Sequence, residues 1–282
     1  MDILKEVRRY FKEAGINNPV DNFGDFVRQK LDEYGIQDIY DEAYYWAGGW
    51  KNFRILFKAL FGYKVRGAGN FPEFGPAVLV PNHQSEFDPF LAGSALHRKV
   101  SWVSKHENFQ MPIFRTIITP FGTIPLKRGE SDKKALRKID AVLESGGCIG
   151  IFPEGTRSPD GSLSHFHKGA AIIAMKNMVP YVPLAIIGAH KALPKGTSVF
   201  KMKPSPIEIR IGKPVFIDPT IPINVETARA ITLDMRRRVQ ALIDGKEVPS
   251  QAYIQYDEKE DVFSGFYYPT EVEEELAELS IS

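Results

Sequence analysis

The chain has 282 residues, 36 basic and 35 acidic, with a formal net charge of +1. That length and a 43% hydrophobic content support a large core domain with an appendage, and exclude collagen-like, disordered and disulfide-scaffold classes. The single cysteine, Cys148, reads as a buried inert thiol and favours a cytosolic chain. With no signal-peptide core and no run near the roughly 18 apolar residues of a membrane span, any membrane contact is expected at the surface.

Residues 1–62 read as an N-terminal helical segment. Ile3, Leu4, Val7, Tyr10 and Phe11 follow helical spacing, and Phe23, Phe26, Val27 and Leu31 form a second face. Between Trp46 and Phe61 the composition is distinctive. On a helix, Trp50, Phe53, Phe57, Leu60 and Phe61 share one face while Lys51, Arg54 and Lys58 share another. An aromatic face beside a basic one fits an interfacial membrane helix; an amphipathic helix docked on the core fits equally from pattern alone.

Residues 63–248 then alternate short β-like runs with helices. The spacing predicts strands at 63–66, 77–80, 100–104, 122–126, 148–152, 182–187 and 207–211. It predicts helices at 88–96, near 111–118, and at 133–144, 169–177 and 225–243, with 188–206 as a loop. This order argues for an α/β fold, a central sheet covered by helices. Residues 249–282 read as an acidic C-terminal tail, in which Phe263, Phe266, Tyr267 and Tyr268 suggest a docked piece. Charge is unevenly spread. Between Arg98 and Lys138 ten Lys or Arg face three Asp or Glu, which points to anionic ligands or an anionic surface.

Four strand-end loops carry the chemistry-bearing residues. The first follows the run Ala77-Val78-Leu79-Val80 and holds His83 and Asp88, with Asp88-Pro89 reading as a helix start. A neutral histidine can take a proton from an alcohol near neutral pH, and a carboxylate on its other nitrogen fixes the tautomer. Alone this pair is a weak signal, since Asp88 also serves as a plain helix cap. The second loop, after Gly122-Thr123-Ile124-Pro125-Leu126, presents Lys127 and Arg128. Such a pair suits phosphate, or a solvated basic turn. The third, Phe152-Pro153-Glu154-Gly155-Thr156-Arg157-Ser158, presents a carboxylate and a guanidinium around a glycine that permits close backbone approach. Glu154 can accept from a substrate hydroxyl or hold Arg157 or Arg128, or the loop is a tight turn with a local ion pair. The fourth, Val179-Pro180-Tyr181-Val182-Pro183-Leu184, carries no titrating group suited to catalysis and would shape a pocket wall.

The order and spacing of the four blocks resemble the glycerolipid acyltransferase superfamily, specifically the 1-acylglycerol-3-phosphate O-acyltransferase (lysophosphatidate acyltransferase) family. Asn82-His83-Gln84-Ser85-Glu86-Phe87-Asp88 is similar to its His-x4-Asp block. Tyr181 stands where a small residue is more usual. Trp102-Val103-Ser104-Lys105 and Phe166-His167-Lys168-Gly169-Ala170 also match, and the resemblance covers about residues 64–215.

The resemblance implies a glycerol-phosphate-acyltransferase-like mixed sheet and a peripheral or monotopic enzyme on the cytoplasmic face of the membrane. It implies that His83 deprotonates the acceptor hydroxyl and that Asp88 orients His83. Arg128 and Arg157, with Lys105 and Lys127, would hold the acceptor phosphate; Glu154 and Gly155, beside Thr156, would position the glycerol. The donor would be an acyl thioester on coenzyme A or acyl carrier protein. No bound cofactor, metal or nucleic acid is expected; His165-x-His167 falls where the family has a basic turn. The resemblance also raises the interfacial reading of the 46–61 helix. The same chemistry on another lysophospholipid or a glycolipid, and a non-catalytic lipid-binding module, are the alternatives. An α/β hydrolase would need a Gly-x-Ser-x-Gly elbow, which is missing.

Overall fold

The computed structural model describes residues 51–110, 118–119, 121–127, 132–197, 202–246, 253–257 and 262–265. The helices read before residue 51, Arg128, and all but Ile118 of the short helix near 111–118 lie outside them.

Valine- and isoleucine-rich runs too short for helices form a seven-stranded sheet. Its strands are β1 (Lys64–Arg66), β2 (Ala77–Pro81), β3 (Val100–Lys105), β4 (Ile124–Leu126), β5 (Cys148–Gly150), β6 (Tyr181–Ile187) and β7 (Glu208–Ile211), in the order β1-β7-β6-β2-β5-β3-β4. The five strands from β6 to β4 are mutually parallel. β7 runs antiparallel to β6 and parallel to β1, so the sheet is mixed, as the alternation predicted. β2 lies between β5 and β6 and is buried at all five positions, which explains its unbroken apolar run.

Helices cover both faces. On one face α1 (Lys51–Phe61) and α2 (Asp88–Ala95) pack over Leu79, Val182, Leu184 and Ile209. On the other, α3 (Lys133–Glu144), α4 (Gly169–Lys176) and α6 (Val225–Asp244) pack over Val78, Val80 and Ile149. α3 buries Ala135, Ile139 and Leu143, four residues apart, and starts at Asp132, whose carboxylate accepts from the Ala135 N–H at 3.0 Å. A short α5 (Ala189–Ala192) occupies part of the segment expected to be loop.

Two expectations change. Part of the segment read as an acidic tail is sheet: β9 (Tyr253–Asp257) pairs parallel with β8 (Phe216–Ile217) and antiparallel with β10 (Val262–Ser264), and Ile254 is buried in the core. The aromatic face of α1 meets the protein. Phe57 and Phe61 are buried, and Phe53 packs on Phe90 with ring centroids 5.1 Å apart. Packing three rings on the core, two of them buried, removes more apolar area than a docked aliphatic stripe would, so the rings turn inward. The outward apolar residues are Ile55, Leu56 and Leu60, with Ile55 69% exposed. No described helix is long and apolar enough to cross a membrane.

Candidate active site

Five parallel strands bring five C-terminal ends to one edge of the sheet, the edge where α/β proteins bind ligands. Along that edge lie Lys195 beyond β6 and α5, His83 after β2, Arg157 after β5, Lys105 ending β3, and Lys127 after β4. All five line one cavity of about 710 Å³, within the usual size of a small-molecule site.

The loop after β2 is fastened at every residue from 82 to 85. Asn82 is buried and pairs its amide with the main chain of Ile186 on β6, accepting from the N–H at 2.7 Å and donating to the C=O at 2.9 Å. The His83 N–H donates to Glu154 Oε1 at 2.6 Å, and the His83 C=O accepts from the Ser158 N–H at 2.7 Å. Gln84 donates from Nε2 to the Gly161 C=O at 3.0 Å, and its Oε1 lies 3.2 Å from His190 Nδ1. Burial, then the charge of Lys191, hold His190 below the usual imidazole range, so it supports Gln84 as a neutral ring at neutral pH.

His83 Nδ1 lies 2.8 Å from Asp88 Oδ2. A carboxylate oxygen only accepts, so this contact places the histidine proton on Nδ1 and leaves Nε2 as the basic nitrogen. The same Oδ2 accepts from the Gln84 N–H at 2.5 Å and the Ser85 N–H at 2.7 Å. Asp88 is 0% exposed. Its side chain therefore points back into the loop instead of capping α2, whose N-cap position is Phe87. The His83 ring stacks on Phe152 at 4.1 Å, and Phe152 stacks on Trp102 at 5.0 Å. Trp102 lies flat over Gly150, where a Cβ would meet the indole at 2.4 Å, so only glycine permits this wall.

The loop after β5 divides its work. Glu154 is buried and both its oxygens are occupied: Oε1 by His83, and Oε2 by the Ser164 N–H at 3.0 Å and Oγ–H at 2.5 Å. It does not line the cavity, because its neighbours on both sides of the turn draw it inward. The role expected for it on the glycerol is replaced by one in holding His83. Gly155 adopts φ 67°, which favours glycine, and carries the chain past the His167 ring. Gly155, Thr156 and Arg157 do border the cavity. The Gly122 N–H, at the start of the stretch leading to Lys127, is spent on the Thr119 C=O at 3.0 Å.

Residues 62–187 match the family described as Acyltransferase. The 1-acyl-sn-glycerol-3-phosphate acyltransferase of Pseudomonas aeruginosa is 31% identical over 185 residues, 64% of this chain and 67% of that protein. A chloroplastic 1-acyl-sn-glycerol-3-phosphate acyltransferase of Arabidopsis thaliana is 38% identical over 136 residues, 47% of this chain and 38% of that protein. The crystal structure of the 1-acyl-sn-glycerophosphate (LPA) acyltransferase PlsC from Thermotoga maritima superposes with a TM-score of 0.57 at 29% identity, covering 71% of this chain and 79% of that one.

The chain belongs to the 1-acyl-sn-glycerol-3-phosphate acyltransferase family. It spans less than half the length of the chloroplastic relatives it matches.

Sequence reasoning missed three residues of this acyltransferase-family site. Lys195 lines the cavity and donates from Nζ to Thr156 Oγ1 at 3.0 Å. It lies 39 positions from Thr156, and only the β6-β2-β5 order brings the two together. Glu86, inside the His-x4-Asp block, also lines the cavity and pairs with Arg157 Nη1 at 2.9 Å. Arg157 is thus held by Glu86, not by Glu154. His167, part of a matching block but given no role, stands on the cavity wall. Among the described residues, no group of three His, Cys, Asp or Glu side chains could hold a metal ion.

Proposed function

We propose that the protein transfers a fatty acyl group from an acyl thioester, on coenzyme A or acyl carrier protein, to the free hydroxyl of 1-acylglycerol-3-phosphate, giving phosphatidate for phospholipid synthesis. The observation that carries this reading is the 2.8 Å contact of His83 Nδ1 with buried Asp88, on the wall of a cavity that also holds Lys105, Lys127, Arg157 and Lys195. His83 Nε2 takes the hydroxyl proton as the oxygen attacks the thioester carbonyl. The tetrahedral adduct collapses, the C–S bond breaks, and the leaving thiolate takes the proton back from His83. Asp88 stabilises the imidazolium between these steps. No residue is acylated, so no serine or cysteine nucleophile is required.

The acceptor phosphate is assigned to Arg157 with Lys105, Lys127, Arg128 and Lys195, and its glycerol to the Gly155–Thr156 turn. Both bear on binding and not on proton transfer, which separates their expected kinetics from those of His83. Access to a lipid acceptor is assigned to the outward side of α1, where Ile55, Leu56 and Leu60 lie beside Arg54 and Lys58. The name printed for the relatives, 1-acyl-sn-glycerol-3-phosphate acyltransferase, supports the choice of acceptor.

The test is acyl transfer by purified protein with lysophosphatidate and a long-chain thioester. Wild type should acylate it, His83→Ala should lose nearly all turnover, and Arg157→Ala should mainly raise the KM for lysophosphatidate. Robust turnover by His83→Ala would remove the base assignment. Inactivity of wild type across anionic and neutral lysolipids would favour a binding module.

A further inference from the structure

The first six residues of α3 break the local rules for a stable helix. Lys133, Lys134, Arg137 and Lys138 are all exposed. They form two like-charged pairs four residues apart, Lys133 with Arg137 and Lys134 with Lys138, and such pairs repel. They sit in the first turn and a half, where the helix dipole disfavours cations, and the first turn holds no acidic residue. Among the described residues none of the four makes an ion pair. The nearby Asp132 carboxylate is turned to the Ala135 and Lys127 N–H groups. Further along the helix Asp140 has a partner, Lys176 at 2.7 Å, which the four cations lack. Local stability therefore opposes this arrangement, and a placement that costs stability calls for a partner.

The position of the patch says what it serves. α3 follows β4 directly, so its basic end lies at the edge of the sheet that carries His83. Lys127 links the two: its side chain lines the cavity, and its N–H donates to the Asp132 carboxylate that caps α3, at 3.1 Å. The four cations cover about 8 Å along the helix axis.

We propose that this face is the docking surface for an acidic protein that carries the acyl chain as a thioester, an acyl carrier protein. The inference rests on the acyl-transfer reading above and names the donor and where it sits. A protein partner is favoured over a lipid surface because the apolar residues Ala135, Ile139 and Leu143 are buried in the core. The face has four cations, no aromatic side chain and a single exposed aliphatic one, Leu136, which is less apolar surface than a helix lying in a bilayer presents. A purely electrostatic grip suits a soluble acidic partner that must dock, deliver and leave. The surface assigned above to lipid access, the outward side of α1, belongs to a helix on the opposite face of the sheet.

The test combines Lys133→Glu, Lys134→Glu, Arg137→Glu and Lys138→Glu. These changes suit a helix N-terminus, so circular dichroism and Tm should show the fold intact, and the four Gln substitutions give a milder control. Binding of fluorescent palmitoyl acyl carrier protein is measured in a His83→Ala background, where no turnover occurs. The reversal should weaken it at least about tenfold and flatten its salt dependence, with the Gln form intermediate. In the active background the KM for palmitoyl acyl carrier protein should rise by a similar factor while that for palmitoyl-CoA stays within about twofold. The proposal is overturned if carrier binding is absent or unchanged, or if both donors lose equally. It is also overturned if only co-sedimentation with phosphatidylglycerol vesicles is lost, which would assign the face to the membrane. If wild type acylates no acceptor, the acyl-transfer reading fails and the binding measurement still decides the docking surface.

Discussion

Asp88→Asn isolates charge from geometry at the centre of the site. Asp88 Oδ2 accepts from His83 Nδ1 at 2.8 Å and from the Gln84 and Ser85 N–H groups, while Oδ1 is buried with no partner. An asparagine can put its carbonyl where Oδ2 is and its amino group where Oδ1 is. The loop and the histidine tautomer then persist; the charge does not. The interaction lost is the one made only when His83 carries the proton. With the two charges about 4 Å apart at an effective dielectric of about 20, it is worth about 4 kcal/mol. The neutral hydrogen bond returns about 1 kcal/mol. A net loss of about 3 kcal/mol, present in the transition state and absent from the ground state, lowers kcat about 100- to 200-fold with little change in KM. Steady-state acylation of lysophosphatidate, with Tm measured in parallel, checks it. A folded variant with kcat within about threefold of wild type would falsify the reasoning. So would a loss carried by KM, because it would mean that Asp88 shapes the binding site instead of the transition state.

Glu154→Gln should act on stability more than on chemistry: an amide must point an NH2 group at either the His83 N–H or the Ser164 donors. The cost is about 1–3 kcal/mol and several degrees in Tm, and activity should recover at lower temperature. On α1, Ile55→Glu with Leu60→Glu should weaken vesicle binding at unchanged Tm, whereas Phe57→Ala should cost about 3–5 kcal/mol because the ring is buried against Phe61 and Tyr63. Unchanged co-sedimentation of the first variant would remove α1 from the membrane reading. Burial raises the Cys148 thiol above its ordinary value. Native protein should therefore react with a thiol reagent at least about 100-fold more slowly than unfolded protein, and prompt labelling would show that β5 opens readily.

The strand and helix framework was legible because each element obeys a local rule. β2 is an unbroken apolar run, and α3 repeats buried residues every four positions between Asp132 and Glu144. Elements held by pairing alone were not. β8 has two residues, and its partner β9 lies in a stretch whose acidic composition reads as solvated; the aromatic residues from Phe263 to Tyr268 hinted at a docked piece, and nothing in the spacing pointed to a strand at 253–257. α1 shows a different limit. Helical spacing grouped Leu60 with Phe53, Phe57 and Phe61, yet the structure divides that arc, turning the rings to the core and leaving Leu60 outside. Spacing fixes which residues are neighbours on a helix, but which neighbour is buried depends on what the sheet presents.

The same distinction governs the site. Spacing placed His83, Asp88, Glu154 and Arg157 at strand ends, and they are there. It could not say which way each carboxylate turns. Three acidic side chains in these two loops have three different jobs: Asp88 holds the His83 ring, Glu154 holds the His83 main chain, and Glu86 holds Arg157. The sequence singled out the first two and passed over the third, because the Glu86–Arg157 pair joins residues 71 positions apart across the β2–β5 boundary. Glu86 occupies one edge of a guanidinium assigned here to phosphate. An arginine has a second edge free for an anion, so Glu86 can orient Arg157 and still leave it able to bind. On that basis Glu86→Gln should raise the KM for lysophosphatidate, and a fall in KM would show that Glu86 competes with the phosphate instead of presenting Arg157 to it.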